Sequence, residues 1–272
     1  MRLSALKQLT LNLSYTPVSN LEPLTKLSDL TQLSLVLGYS RVSNLEPLTR
    51  LSGLTHLTLD ISASLVSNLE PLAKLSSRVK LSLNLHGKQM SYLEPLAKQD
   101  GLIFLSLDLA YSPVTNLEPL SKLSGLTQLI LSLSNSQVSS LEPLAKLGAL
   151  TQLTLTIQDS QVENLGPLSK LGGLTQLALS IRDNQVDNLE PLSRLSGLSQ
   201  FTLRHRWASN LEPLTKLISQ AQLTLCLREG RVDILESLSK LTRLRTLSIE
   251  SATRTQRMYL RKIPASLREL KF

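Results

Sequence analysis

Apolar residues along the chain fall in a pattern that repeats almost without change. In the stretch beginning at Leu54 they stand at Leu54, Leu57, Leu59 and Ile61. Counting Leu54 as position 1, these are positions 1, 4, 6 and 8, and the alternation from 4 to 8 is that of a strand with one buried face. A polar turn and a single Val66 follow. Leu69, Leu72 and Leu75 then recur every third residue, which predicts a short α or 3₁₀ turn with one apolar edge. The strand phrase returns as Leu9-Leu11-Leu13, Leu33-Leu35-Leu37, Leu105-Leu107-Leu109, Leu129-Leu131-Leu133 and Leu153-Leu155-Ile157. The counterpart of Leu69 stands every 24 residues from Leu21 to Leu189, then at Leu211 and Leu235. A fixed period in this range is the mark of a solenoid, in which each coil buries its apolar side against the next. Position-1 residues from Leu6 to Leu244 predict eleven coils and eleven parallel strands.

The second half of each coil carries its own punctuation. Ser43 followed by Glu46 fits a capping box, and Pro47 suits a first turn whose amides lack intrahelical partners. Gly53, Gly101, Gly125, Gly173 and Gly197 stand where the chain turns back into the next strand. Glu46 and Arg50, Glu70 and Lys74, Glu118 and Lys122, and Glu142 and Lys146 are spaced for i,i+4 pairing on a solvated face.

Composition narrows the picture. Aromatic residues make up only 3% of the chain, so leucine must carry the packing. A single cysteine, Cys226, excludes an internal disulfide framework and demands no oxidising compartment. The opening residues contain no uninterrupted apolar segment of signal-peptide type, and no apolar run approaches the ~20 residues needed to cross a bilayer. The chain therefore reads as soluble and cytoplasmic. Its net charge of +8 is unevenly placed: residues 1–200 hold 15 Lys/Arg against 15 Asp/Glu, and residues 201–272 hold 14 against 6.

The phrase LxxLxLxL, a polar turn, then NLEPLxKLxxLTxL, as in residues 30–57, resembles the leucine-rich repeat family in its bacterial internalin-like form. The resemblance covers nearly the whole chain. It implies an α/β solenoid, curved as a horseshoe, with a parallel sheet on the concave face and short α or 3₁₀ turns on the convex face. It further implies one repeat domain over residues 1–272 and a role in binding other macromolecules. Two departures stand out: Ser40, Ser64, Ser112, Ser136 and Ser160 occupy the turn where the family usually has Asn, and the unit is two residues longer than the internalin-like repeat.

Irregularities mark where coils differ by more than stacking requires. The fourth coil opens with Arg78-Val79-Lys80 and carries Gln99-Asp100 where others have Leu-Ser. The coil from Leu198 is two residues short and contains the lone tryptophan, Trp207, and the template dissolves over residues 251–272 before Ser266–Phe272 begins another strand-like phrase. Neither end carries a polar closing cap, which points to a segment of a longer protein or to self-association through the bare ends.

Outward strand positions 3, 5 and 7 face the exposed side of the sheet. Their Gln and Thr columns are expected to hydrogen-bond from coil to coil. Position 3 changes from Gln to His56, Lys80 and Phe104, and position 7 supplies Asp60 and Asp108 nearby; Tyr15, Tyr39 and Tyr111 share a turn position beside the same face. Amphipathic aromatics with a few charges suit a protein- or peptide-binding surface, and these eight residues form the candidate site. An alternative is an anion-binding module for nucleic acid or an acidic membrane or partner, built from Arg204, Arg206, Trp207, Arg228, Arg231 and Arg245. Against it, no recognised nucleic-acid motif is present.

Catalysis finds little support. Cys226, His205 and Glu250 come from adjacent coils, but His205 stands at an inward position and should not face Cys226. Three histidines on separate coils (His56, His86 and His205) give no metal-ligand spacing, so neither a metal nor another cofactor is expected.

Overall fold

The computed structural model describes residues 5–75, 79–88, 91–99, 101–205, 210–217, 222–228, 244–250 and 270–271. The chain forms two compact units, Met1–Val138 and Ser139–Phe272. In the first, β1 (Gln8–Asn12), β2 (Gln32–Val36), β3 (His56–Asp60), β4 (Lys80–Asn84), β5 (Phe104–Asp108) and β6 (Gln128–Ser132) lie side by side in sequence order, all parallel. In the second, β7 (Gln152–Gln158), β8 (Gln176–Arg182), β9 (Gln200–His205), β10 (Gln222–Arg228), β11 (Leu244–Glu250) and β12 (Leu270–Lys271) do the same. The strand-like phrase at the C-terminal end thus supplies one more strand than the eleven expected.

Register follows the repeat. Leu57 pairs with Leu33 on one side and Leu81 on the other, and Leu59 pairs with Leu35 and Leu83. Positions 4, 6 and 8 are buried in β2 to β9, as are Leu223 and Leu225 of β10, whereas Leu9, Leu11 and Leu13 of the first coil are half-buried. The valines (Val42, Val66, Val114 and Val138 in the first unit, Val162 and Val186 in the second) and the leucines of the second half of each coil complete an aliphatic interior in each unit. Removing most of one such side chain costs about 2–5 kcal/mol, because its neighbours in the adjoining coils cannot collapse into the gap.

Coils return through eight five-residue 3₁₀ turns among the described residues, each with Pro in its first two positions, such as Glu46–Arg50 and Glu70–Lys74. The shortened coil has an α-helical turn instead, α1 (Glu212–Leu217). The expected capping box does not form. The residue after the serine does the work: Glu46 N–H donates to Asn44 Oδ1 at 2.9 Å, and the same bond recurs at Asn20, Asn68, Asn116, Asn164, Asn188 and Asn210. An Asn carboxamide two residues ahead of the amide makes a tighter turn than a serine three residues ahead, and a 3₁₀ turn offers only the tighter geometry.

The acid–base pairs also differ from expectation. Described ion pairs on this face run between coils rather than within one turn: Arg50 to Glu22 at 3.0 Å, Lys74 to Glu46 at 2.7 Å, Lys98 to Glu70 at 2.7 Å, Lys170 to Glu142 at 3.3 Å and Lys216 to Glu190 at 2.7 Å. A 3₁₀ turn of three residues per turn does not bring i and i+4 together, whereas the stacked coils place identical turns side by side. Both partners are well exposed, so solvent screens each pair and its contribution to stability is small.

Two columns of hydroxyls stitch coil to coil and turn to strand. Among the described residues the ladder lies at position 2 and not in the Gln and Thr columns of the sheet face: Thr31, Thr55, Thr127, Thr175 and Ser199 hydroxyls donate to the position-2 carbonyl one coil earlier at 3.0–3.1 Å. In the turn, Thr16, Ser40 and Ser64 hydroxyls donate to the carbonyl three residues back at 2.6–2.8 Å. Ser40 and Ser64 thus close the turn where the family uses Asn, whereas the buried hydroxyls of Ser112 and Ser136 have no hydrogen-bond partner among the described residues. The odd fourth coil is accounted for in the same terms. Val79 and Gln99 are buried, and the Gln99 carboxamide donates to the Leu72 carbonyl of the preceding coil.

These caps give a first test. Asn68→Ala should lower unfolding free energy by about 1 kcal/mol, while Ser67→Ala at the preceding position leaves it within about 0.5 kcal/mol. Urea denaturation of the two variants measures the difference, and equal losses would restore the capping-box reading.

Candidate functional site

The eight candidate residues all lie in the first unit. His56 and Lys80 are exposed and pair in register on β3 and β4, and Phe104 is half-buried at the same position on β5. The structure therefore brings a histidine, a lysine and a phenylalanine into one row across three strands. His56 Nδ1 lies 2.9 Å from the Thr55 hydroxyl.

Asp60 and Asp108 have a different role from the one expected. Asp60 Oδ1 accepts the Ser62 amide at 2.9 Å and the Ser62 hydroxyl at 2.5 Å, and Oδ2 accepts the Asn84 carboxamide at 3.1 Å. Asp108 Oδ1 accepts the Ala110 amide at 2.9 Å. Asn12 and Asn84 accept the amides of Ser14 and His86 in the same way. Position 7 is thus a turn-closing column in these coils. Its carboxylates are half-buried, and Asp60 and Asp108 each accept bonds from the turn that follows.

Three residues beyond position 7 the backbone takes a conformation that sequence periodicity could not show. Tyr15, Tyr39, Ala63, Tyr111, Asn135, Asp159 and Asp183 all have φ between +44° and +58°, and Gly87 has +60°. Each is position 10 of its coil. Gly, Asn and Asp suit this left-handed conformation, but a bulky side chain there costs on the order of 1 kcal/mol. Inter-coil backbone bonds enforce it: Tyr15 N–H donates to Gly38 O at 3.1 Å, Tyr39 to Ala63 O at 3.0 Å and Tyr111 to Ser134 O at 3.0 Å. The tyrosine rings stand in solvent at 79%, 63% and 57% exposure. Tyr15 and Tyr39 stack with centroids 4.8 Å apart and planes 14° from parallel, and Tyr111 meets His86 at 5.1 Å in a tilted contact. A shared position in the repeat was the signal that located these residues, and the backbone angle shows what holds them.

In the alternative basic patch, Arg204 is exposed on β9 beside Cys226 of β10. Arg228 and Arg245 lie in β10 and β11, whose arginine side chains are outside the described part, as are Arg206, Trp207 and Arg231. His205, next to Arg204, points to the opposite side of the sheet. It is 3% exposed, and its Nε2–H donates to the Val186 carbonyl at 3.0 Å. His205 and Cys226 therefore do not form a nucleophile–base pair. Among the described residues no group of His, Cys, Asp and Glu has the arrangement of a metal site, and no helix is long and apolar enough to cross a membrane.

No protein-family model matches the chain, and no curated protein matches it. Solved structures do. An internalin (inlF) of Listeria monocytogenes superposes with a TM-score of 0.67 over 99% of this chain and 88% of its own, at 21% identity. An internalin C2 from the same organism is 33% identical over 71% of this chain and 80% of its own, with a TM-score of 0.56. The chain is an internalin-like leucine-rich repeat protein. A plant peptide hormone receptor, RGFR1, in complex with RGF2, shares the fold at a TM-score of 0.52 and 14% identity, over 99% of this chain and 47% of its own. In this internalin-like protein the strands of each unit form a parallel sheet of the repeat solenoid, and the tyrosine column of the first unit runs where strands give way to turns.

Burial holds the His205 imidazole below its ordinary pKa, outweighing the Val186 carbonyl and Asp187, both of which raise it. The unfolded chain therefore takes up a proton near pH 6.5 before the folded one does, and stability present above that pH is lost as pH falls below it. His205→Ile restores the residue type of Ile157 and Ile181 in the same column. It should raise the melting temperature more at pH 5.5 than at pH 7.5. An equal gain at both would show that His205 does not drive the pH dependence.

Proposed function

We propose that this internalin-like chain is a non-enzymatic scaffold that binds a protein or peptide on the sheet face and tyrosine edge of its first unit. The reading takes the repeat from residue 1 to residue 272 as one functional domain. One observation carries it: three exposed tyrosine rings occupy a left-handed backbone position that favours Gly, Asn or Asp, in the same unit as the row His56, Lys80 and Phe104. Stability alone gives no reason to place tyrosine there, whereas rigid amphipathic rings on a fixed backbone bind with small losses of conformational entropy. Support also comes from the shared fold, since a plant receptor built on it is seen in complex with RGF2.

Peptides selected from a random displayed library against the whole chain provide the test. Their affinity should fall by about tenfold or more with Phe104→Ala or Tyr39→Ala, the scale of an aromatic anchor, should be unchanged by Arg204→Ala, and should survive 0.5 M salt. Loss on Arg204→Ala, or collapse with salt, would favour anion binding through the basic C-terminal coils instead.

The strain makes a separate prediction. Tyr111→Asn should leave the melting temperature unchanged or higher, because Asn adopts positive φ at lower cost. A clear drop would mean that the ring at 111 serves the fold.

A further inference from the structure

Position 10 reads Tyr15, Tyr39, Ala63, Gly87, Tyr111 along the first unit, so the tyrosine column is interrupted for two coils. Neighbouring strands of a parallel sheet lie about 4.8 Å apart, which places the ring of Tyr39 and that of Tyr111 roughly 14 Å apart. Tyr39 presents one face to Tyr15, and the other looks across the interruption. At the far side stand His86 and Tyr111 in their tilted contact. Between them the floor is the methyl of Ala63 and the bare backbone of Gly87, where an added Cβ would meet nothing within 4 Å. Leu65 is exposed beside it at 61%. The result is a slot with aromatic walls and an apolar floor, wide enough for one or two stacked rings.

The slot is also cationic. Lys88 is half-buried on the coil of Gly87; its ammonium donates to the Ser64 carbonyl and lies 3.5 Å from the Ser64 hydroxyl. No carboxylate among the described residues pairs with it, and partial burial lowers its pKa. Residues 32–42, 56–66, 80–88 and 104–112, the strand and turn halves that build the slot, carry Arg41, Lys80 and Lys88 against Asp60 and Asp108. Asp60 is already taken by Ser62 and Asn84, and Asp108 accepts the Ala110 amide. Excess positive charge around an aromatic cleft is complementary to an anion attached to a ring.

We infer that this slot is a specific subsite for an aromatic side chain flanked by acidic residues, presented by an extended peptide segment of a protein partner. The inference rests on the peptide-binding reading above and names the chemistry of its ligand. The incoming ring completes the interrupted column between Tyr39 and the His86–Tyr111 pair, and its neighbouring carboxylates reach Lys88 and Arg41. Turn backbones fixed by the Tyr39-to-Ala63 and Gly87-to-Ala110 bonds keep the slot open before the ligand arrives.

The chain itself suggests the test, because Tyr39 and Tyr111 show that the column accommodates tyrosine. Ala63→Tyr fills the slot at a residue that already has a Cβ at positive φ. The probe is a dye-labelled pentapeptide, Glu-Glu-Phe-Glu-Glu with blocked ends, followed by fluorescence anisotropy against the whole chain. Ala63→Tyr should weaken binding about tenfold or more with an unchanged circular dichroism spectrum, replacing Phe by Ala in the probe should do the same, and Lys88→Gln should weaken binding and flatten its salt dependence. Undiminished binding to Ala63→Tyr, or no binding to the unaltered chain, would overturn the slot. Phe104→Ala, tested with the library-selected peptides, separates this failure from that of the broader reading: if those peptides still depend on Phe104, the sheet face binds and only the slot is wrong. If they depend on neither Phe104 nor Ala63, both readings fall.

Discussion

Leu57 and Leu59 sit level with Leu33 and Leu35 on one side and with Leu81 and Leu83 on the other, and this in-register burial is the constraint on which the other features depend. An aliphatic interior only a few side chains wide cannot shift by one residue without turning its leucines to solvent. With the register fixed, every other position of the repeat becomes a column as well. Asn44 stands beside Asn20 and Asn68, Thr55 beside Thr31, and Lys74 reaches Glu46 on the coil before it. Hydrogen bonds and ion pairs between coils follow from the packing of leucine and would have no fixed geometry without it.

The fold was therefore legible from periodicity, because the spacing of apolar residues encodes the strand, its buried face and the return turn together. Interactions between columns were less so. Glu46 and Arg50 look like partners in a linear reading, yet the 3₁₀ turn separates them and the stack supplies each with a partner 28 residues away. Ser43 looked like the cap because a capping box presumes an α-helix, and the tighter turn hands the task to Asn44. Both errors have one origin. The sequence specified that a short helical turn exists, but not which of two closely related hydrogen-bond spacings it uses.

At the candidate site the legible part was the composition of columns, and the illegible part was backbone angle and side-chain engagement. Tyr15, Tyr39 and Tyr111 could be grouped because they recur at one position, but nothing in their identity announces positive φ; Asn135, Asp159 and Asp183 in the same column would have been the better indicators. Asp60 and Asp108 stand at an outward strand position, where a carboxylate is usually solvated. Their bonds to the amides two residues on become visible only when the turn is seen.

The repeat divides its columns by function. Positions 4, 6 and 8 hold the interior, position 15 caps the turn and position 2 links the coils; substitutions there are constrained by geometry. Position 10 is constrained only in backbone angle, which its inter-coil hydrogen bonds impose on whatever residue is present. A side chain at that position can change from tyrosine to aspartate without disturbing its neighbours' register, and it does so between the first unit and the second. A solenoid thereby places variable groups on an invariant spacing of about 4.8 Å. Where the residues at such a position are large, exposed and ill-suited to their backbone angle, folding provides no reason for them. Recognition does.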